Sequence, residues 1–138
     1  MCIRDSNTGV PHVVLELDDL GSAEIILQGR EIRHHETFAP AGTNVNFACP
    51  AGEGRLQVRT YERGVEDETL ACGTGCVAAA LVTAARLGWS SPIPVTTRSG
   101  GVLTIHFERD GGHFNEVYLE GDARIVYTGE IRPDALLA

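Results

Sequence analysis

Hydrophobic and polar positions alternate in short runs along this chain, and one long apolar block interrupts them. From Pro11 the text reads PHVVLELDD, where Val13, Val14, Leu15 and Leu17 predict a β-strand that runs into acidic turn residues. Ser22 to His34 (SAEIILQGREIRH) carries a weaker helical pattern with a glycine inside it. Asn44–Cys49 (NVNFAC) and Leu56–Glu62 (LQVRTYE) alternate as half-buried strands do, and GVEDE then reads as a loop. The apolar block follows. Val77, Ala78, Ala79, Ala80, Leu81, Val82, Ala84, Ala85 and Leu87 predict a helix over 77–87 that stops at Gly88. A helix with almost no polar face is normally buried on every side, so this one belongs at the centre. Three strands are expected after it, at Gly101–Glu108, Phe114–Glu120 and Arg124–Tyr127, with GG and GD turn signals between them. The pattern predicts an α+β fold: a curved mixed β-sheet wrapped around one central apolar helix.

Composition narrows the class. A chain of 138 residues suits one domain with one real core, and no linker, repeat or low-complexity segment divides it. The opening MCIRDS fits nothing that follows, so residues 1–6 are read as a non-native leader and 7–138 as the domain. Net charge is −8 without a basic run, which makes nucleic acid and anionic membrane poor partners. No apolar run approaches the roughly 18–20 residues of a membrane span, and no secretory leader is evident. Four cysteines could pair, but with 43% hydrophobic residues the chain needs no staples, so a reduced, cytoplasmic setting is expected.

The candidate chemistry lies in ETLACGTGCVAAA, Glu68 to Ala80. A free cysteine is usually a small buried hydrophobe. Cys72, however, stands at the mouth of the helix, where backbone N–H groups lack intrahelical partners and an anion or thiolate is favoured. Gly73 and Gly75 would let a ligand approach the backbone closely. Cys76, one turn on, reads as helix packing; a Cys-x-x-x-Cys pair alone is a weak zinc signal, and no metal is expected. In YERG, Glu62 and Arg63 could form a surface ion pair of little consequence, or bind the ammonium and carboxylate of a small zwitterion. His12 is either a structural histidine or a site residue, and Asn44 and Asn46 either satisfy turn backbone or hold a polar ligand.

Taken together, TGVPHVV, GTNVNF, VRTYERG, ETLACGTGCVAAA and, less closely, GGVLTI with VYLEGDARIVYTGEI resemble diaminopimelate epimerase, over about Thr8 to Ile131. The resemblance implies an enzyme without a cofactor that interconverts LL- and meso-diaminopimelate in lysine and peptidoglycan precursor synthesis. It implies two pseudo-symmetric halves, each a sheet around a helix, with substrate between them and one catalytic cysteine from each half. This chain resembles the C-terminal half. By that resemblance Cys72 is one of two acid/base thiols, and Gly73 and Thr74 bind the α-carboxylate through backbone N–H groups. Asn44, Glu62 and Arg63 match substrate-binding positions, and His12 and Glu62 match positions that tune the cysteines. A cytoplasmic homodimer is implied for the full-length enzyme, and inactivity for this half alone.

Three features depart from the family pattern. Val10 stands where many members carry Asn before Pro-His, leaving Asn7 to supply that contact or the contact missing. The loop GVEDETLAC is one residue longer than the common GVGETLAC. Neither Cys2 nor Cys49 lies in a second helix-start motif. Two other readings stay open: an isomerase of the proline racemase or phenazine-biosynthesis type, which writes the ERG and ETLACGTG positions differently, and a non-catalytic binding or assembly module.

Overall fold

The computed structural model describes residues 2–136, and the side chains of Cys2, Ile3 and Leu136 fall outside that description. Eight strands form one mixed sheet. They are β1 (Cys2–Asn7), β2 (Pro11–Glu16), β3 (Asn44–Pro50), β4 (Leu56–Glu62), β5 (Asp67–Thr69), β6 (Ile93–Thr96), β7 (Val102–Asp110) and β8 (His113–Glu120). The order is β1-β2-β3-β4-β6-β7-β8, with β5 paired to β4. β2 with β3 and β4 with β6 are parallel; the other pairs are antiparallel. Each parallel pair needs a crossover. Helix α1 (Ile25–Arg33) lies in the first and helix α2 (Gly73–Leu87) in the second.

The period-2 alternation of the strands sorts their residues onto two cores. Val14, Ala48, Leu56 and Val58 face α2, where they join Cys76, Ala78, Ala79, Ala80, Ala84, Ile93, Val95 and Ile105. Val13, Leu15, Val45, Phe47 and Tyr61 point the other way and pack with Ile25 of α1. Gly29 explains the glycine inside the weak helical pattern: a Cβ there would lie 2.4 Å from the Cβ of Tyr61, so only glycine lets α1 sit this close to β4. The sheet curls so that α2 packs against β1, β2, β3, β4, β6, β7 and β8. The expected sheet around one central helix is what forms, with α1 added outside.

Several elements differ from the pattern. α1 starts at Ile25 rather than Ser22, because the Asp19 carboxylate accepts from the N–H groups of Gly21 (2.8 Å) and Ser22 (3.1 Å) and holds them in a turn. α2 starts at Gly73, four residues before the apolar block. Asp67–Thr69, in and just after the expected loop, adds to the sheet as β5. β6 was not anticipated, and residues 2–6 of the expected leader lie in β1 and pair with β2. The strand expected at Arg124–Tyr127 does not form: Ile125, Val126 and Tyr127 are almost fully exposed and have no neighbouring strand. β-propensity without a partner strand does not make one. Nor is α2 buried on every side. Leu81, Val82, Ala85 and Arg86 line a slot open toward β1 and Phe114, because the curled sheet does not close between its two edges.

α2 runs alongside β2 and β3. A Cβ at Gly75 would lie 2.2 Å from Asn46 Oδ1, whereas Thr83 and Arg86 reach Glu16 at the other end of the strand pair. Eight helical residues rise about 12 Å and four strand residues about 13 Å, so the two elements keep step. The start of α2 therefore lies over the end of the sheet where β2 and β3 begin and β4 finishes.

Candidate active site

That end of the α2 face is polar although it is buried. His12 is 1% exposed, Asn44 5%, Asn46 0% and Thr60 3%. Register sets His12 beside Asn44 and Asn46 beside Thr60, and Glu62, two residues after Thr60, continues the same face. Buried polar groups are stable only when paired. Asn46 Nδ2 donates to the Val13 carbonyl at 3.0 Å and lies 3.1 Å from His12 Nδ1, while Thr60 Oγ1 donates to Asn46 Oδ1 at 2.9 Å. Asn44 Oδ1 accepts from the Arg63 backbone N–H at 2.9 Å, and its Nδ2 donates to the Pro11 carbonyl at 3.4 Å. Burial, then the nearby Arg63 charge, lowers the His12 pKa to about 4. His12 is therefore neutral at neutral pH, and its Nε2 is buried without a hydrogen-bond partner among the described residues.

Above this face stands the start of α2. Cys72 is its N-cap, with extended backbone (φ −126°, ψ 107°), and its side chain makes no capping hydrogen bond. No acidic residue occupies the first turn. The first N–H groups of Gly73-Thr74-Gly75 thus carry the positive end of the helix dipole without an internal counter-charge. Cys72 is 8% exposed, and its Sγ lies 3.7 Å from Thr74 Oγ1. Gly75 is required because a Cβ there would lie 2.2 Å from Asn46 Oδ1 and 3.2 Å from Cys72 Sγ.

The approach to Cys72 is anchored. The Glu68 side chain, 3% exposed, is held bidentately by Arg59 (2.6 and 2.7 Å) and flanked by Arg98 at 3.3 Å. Ser99 N–H donates to the Leu70 carbonyl, and Thr8 Oγ1 donates to the Thr74 carbonyl at 3.3 Å. In the longer loop Glu66 takes a left-handed φ of 61°, and its carboxylate accepts from Arg33 (2.9 Å) and from the Gly64 N–H (3.1 Å).

The fold thus brings His12, Asn44, Glu62 and Arg63 to one end of the sheet and opens α2 with Cys72, Gly73 and Thr74 on the same side. Glu62 is half-buried and without an ion-pair partner among the described residues, so the pair with Arg63 that YERG suggested does not form. Asn7 is exposed and accepts from the Gly9 N–H in a turn, and Val10 is half-buried. Cys49 lies on the α1 side, where its Sγ donates to the Asp18 carbonyl at 3.3 Å, and burial together with Asp19 and Asp18 raises its pKa. Cys76 is core, its pKa pushed up to about 12 by burial and by Cys72. Among the described residues no group of three or more His, Cys, Asp or Glu gathers as a metal site, and no helix is long and apolar enough to cross a membrane. The Thr60, Glu68 and Arg59 contributions were not anticipated; only alternation in LQVRTYE hints that Thr60 shares the face of Glu62.

Comparison with known proteins gives a consistent result. A family model described as diaminopimelate epimerase matches residues 6–126. The chain is 50% identical over 131 residues to the diaminopimelate epimerase of Aquifex aeolicus, covering 94% of this chain and 46% of that protein. It is 47% identical over 135 residues to that of Archaeoglobus fulgidus (97% and 45%), and 46% over 127 residues to that of Chlorobaculum tepidum (91% and 48%). It therefore spans about half the length of the curated relatives it matches. Among solved structures, a phenazine biosynthesis protein of the PhzF family from Enterococcus faecalis aligns with a TM-score of 0.55 at 21% identity, over 71% of this chain and 34% of its own. A PhzF-family protein from Bacillus anthracis aligns at 0.56 and 17%, over 82% and 34%. At such identities the likeness is one of fold.

Proposed function

Because the chain belongs to the diaminopimelate epimerase family, we propose that it supplies one catalytic face of an enzyme interconverting LL- and meso-diaminopimelate, with Cys72 as the thiol of that face. The Cys72 thiolate takes the α-proton of the amino acid and becomes a thiol; a thiol on the opposite face, from a second half, gives its proton to the other side of the same carbon. The C–H bond breaks on one face and reforms on the other, and no electrons leave the system.

The α-proton is only weakly acidic, so the carbanion's charge must be stabilised as it forms. Gly73 and Thr74 offer uncapped N–H groups to the α-carboxylate, over which the charge spreads. Arg63 supplies a cation and Glu62, without an ion-pair partner among the described residues, a carboxylate for the substrate's charged ends. Asn44 holds the Arg63 backbone and retains one amide hydrogen for substrate. His12, neutral and buried, tunes the cysteine's surroundings without adding a charge. No cofactor enters this scheme. Its thiols must be reduced, which fits a cytoplasmic enzyme; three described cysteines, Cys49, Cys72 and Cys76, are free. The full-length protein acts as a homodimer in this reading, which rests on the family resemblance.

One observation carries the proposal: a cysteine at the N-cap of a helix whose first turn has neither a capping side chain nor an acid. The test is Cys72→Ala in the two-half enzyme, assayed by deuterium incorporation at the substrate α-carbon in heavy water. The expected loss is on the order of a thousandfold with the fold retained. Unchanged exchange by a folded variant would sink the assignment.

A further inference from the structure

The polar layer beneath α2 contains a side chain that the catalytic scheme leaves unused. Asn46 is fully buried, and its amide has three defined neighbours. The Val13 carbonyl can only accept, so the amide nitrogen faces it. That nitrogen's second hydrogen then points to His12 Nδ1 at 3.1 Å, which must offer a lone pair. Thr60 donates to the amide oxygen, consistent with the orientation that the Val13 carbonyl imposes.

We propose that Asn46 is a positioning residue that fixes His12 as the imidazole protonated at Nε2, so that one buried N–H donor is held ready beneath the start of α2. The proposal rests on the reading of Cys72 as the reacting thiol. A neutral ring carries one proton, and if Nδ1 accepts, that proton is on Nε2. The His12 pKa of about 4 keeps the ring neutral at neutral pH. Nε2 is buried with no partner among the described residues, and a buried donor left unpaired is costly enough to be rare. It is a donor awaiting an acceptor that arrives with the substrate-bound site, a carboxylate or the developing carbanion's oxygen. Asn46 touches neither thiol nor substrate in this scheme and acts through the ring.

The experiment is long-range proton–nitrogen NMR of the imidazoles in the full chain, with exchange at the substrate α-carbon measured in the two-half enzyme. Wild type is expected to show His12 protonated at Nε2 and bare at Nδ1. Asn46→Asp puts an acceptor against Nδ1 and is expected to move the proton there and slow exchange at least tenfold. Asn46→Leu keeps the branching of the side chain, removes the donor and is expected to give both tautomers; it serves if the Asp variant does not fold. A bare Nε2 in wild type overturns the proposal, as does a proton that stays on Nε2 alone in the variants. A shifted proton with unchanged exchange removes the positioning role. If wild-type exchange survives Cys72→Ala, the catalytic reading fails while the tautomer measurement still stands.

Discussion

His12 and Cys76 show how burial at single residues turns into measurable chemistry. A histidine held at about pKa 4 binds its proton more weakly in the fold than in the unfolded chain, where the ordinary value is 6.5. The stability this adds is complete above pH 6.5 and is lost as pH falls from 6.5 toward 4. The gap corresponds to roughly 3 kcal/mol. Urea unfolding at pH 7.5 and 4.5 should therefore cost wild type more than His12→Gln; equal losses would mean that His12 titrates normally. Burial acts on Cys76 in the same way. With its thiol pushed up to about 12, Cys76 is thiolate at about one part in ten thousand at pH 8. Cys72, at an open helix start, should be alkylated at least about tenfold faster by iodoacetamide, read by peptide mass spectrometry. Similar rates would return Cys72 to the role of buried filler, as a non-catalytic module requires.

Helix α2 is positioned by its two ends, and each end gives a prediction. Replacing a helical glycine by alanine ordinarily gains up to about 1 kcal/mol. Gly75→Ala should instead lose stability, about 2 kcal/mol or more, because its Cβ would meet the immobilised oxygen of Asn46. Thermal unfolding decides the sign. At the far end Arg86 lies 2.6 Å from the Glu16 carboxylate, whose side chain is 5% exposed and also accepts from Thr83 at 3.2 Å. Arg86→Met should cost about 1–3 kcal/mol by leaving that carboxylate without its cation, and adding Glu16→Leu should recover much of it. If the double variant is no better than the single one, the pair is not what ties α2 to β2. The apolar block announced α2, and alternation announced β2, β3 and β4. Alternation says nothing about register, so no local pattern could show that His12, Asn46 and Thr60 meet, or that Asn46 dictates Gly75. β6 is four residues with a proline, too short for its period to stand out, and Arg124–Tyr127 had strand-forming residues without a strand to pair with.

At the scale of the whole molecule, the proposed epimerisation needs an acid or base on each face of the α-carbon, and among the described residues Cys72 is the one cysteine at a helix start. Cys72 was legible as a candidate because GTG follows it directly, and His12, Asn44 and Asn46 were legible as candidates too; that they meet Thr60 in one buried layer was not, since the layer is assembled from three strands distant in sequence. The second face should also exclude water from the reacting carbon. The decisive measurement is α-deuterium incorporation and epimer formation by the purified 138-residue chain, alone and mixed with a separately produced amino-terminal half of a relative. The account predicts no turnover from the folded chain alone and measurable turnover from the mixture. Substantial epimerisation by the chain alone would contradict the division of the chemistry between two halves.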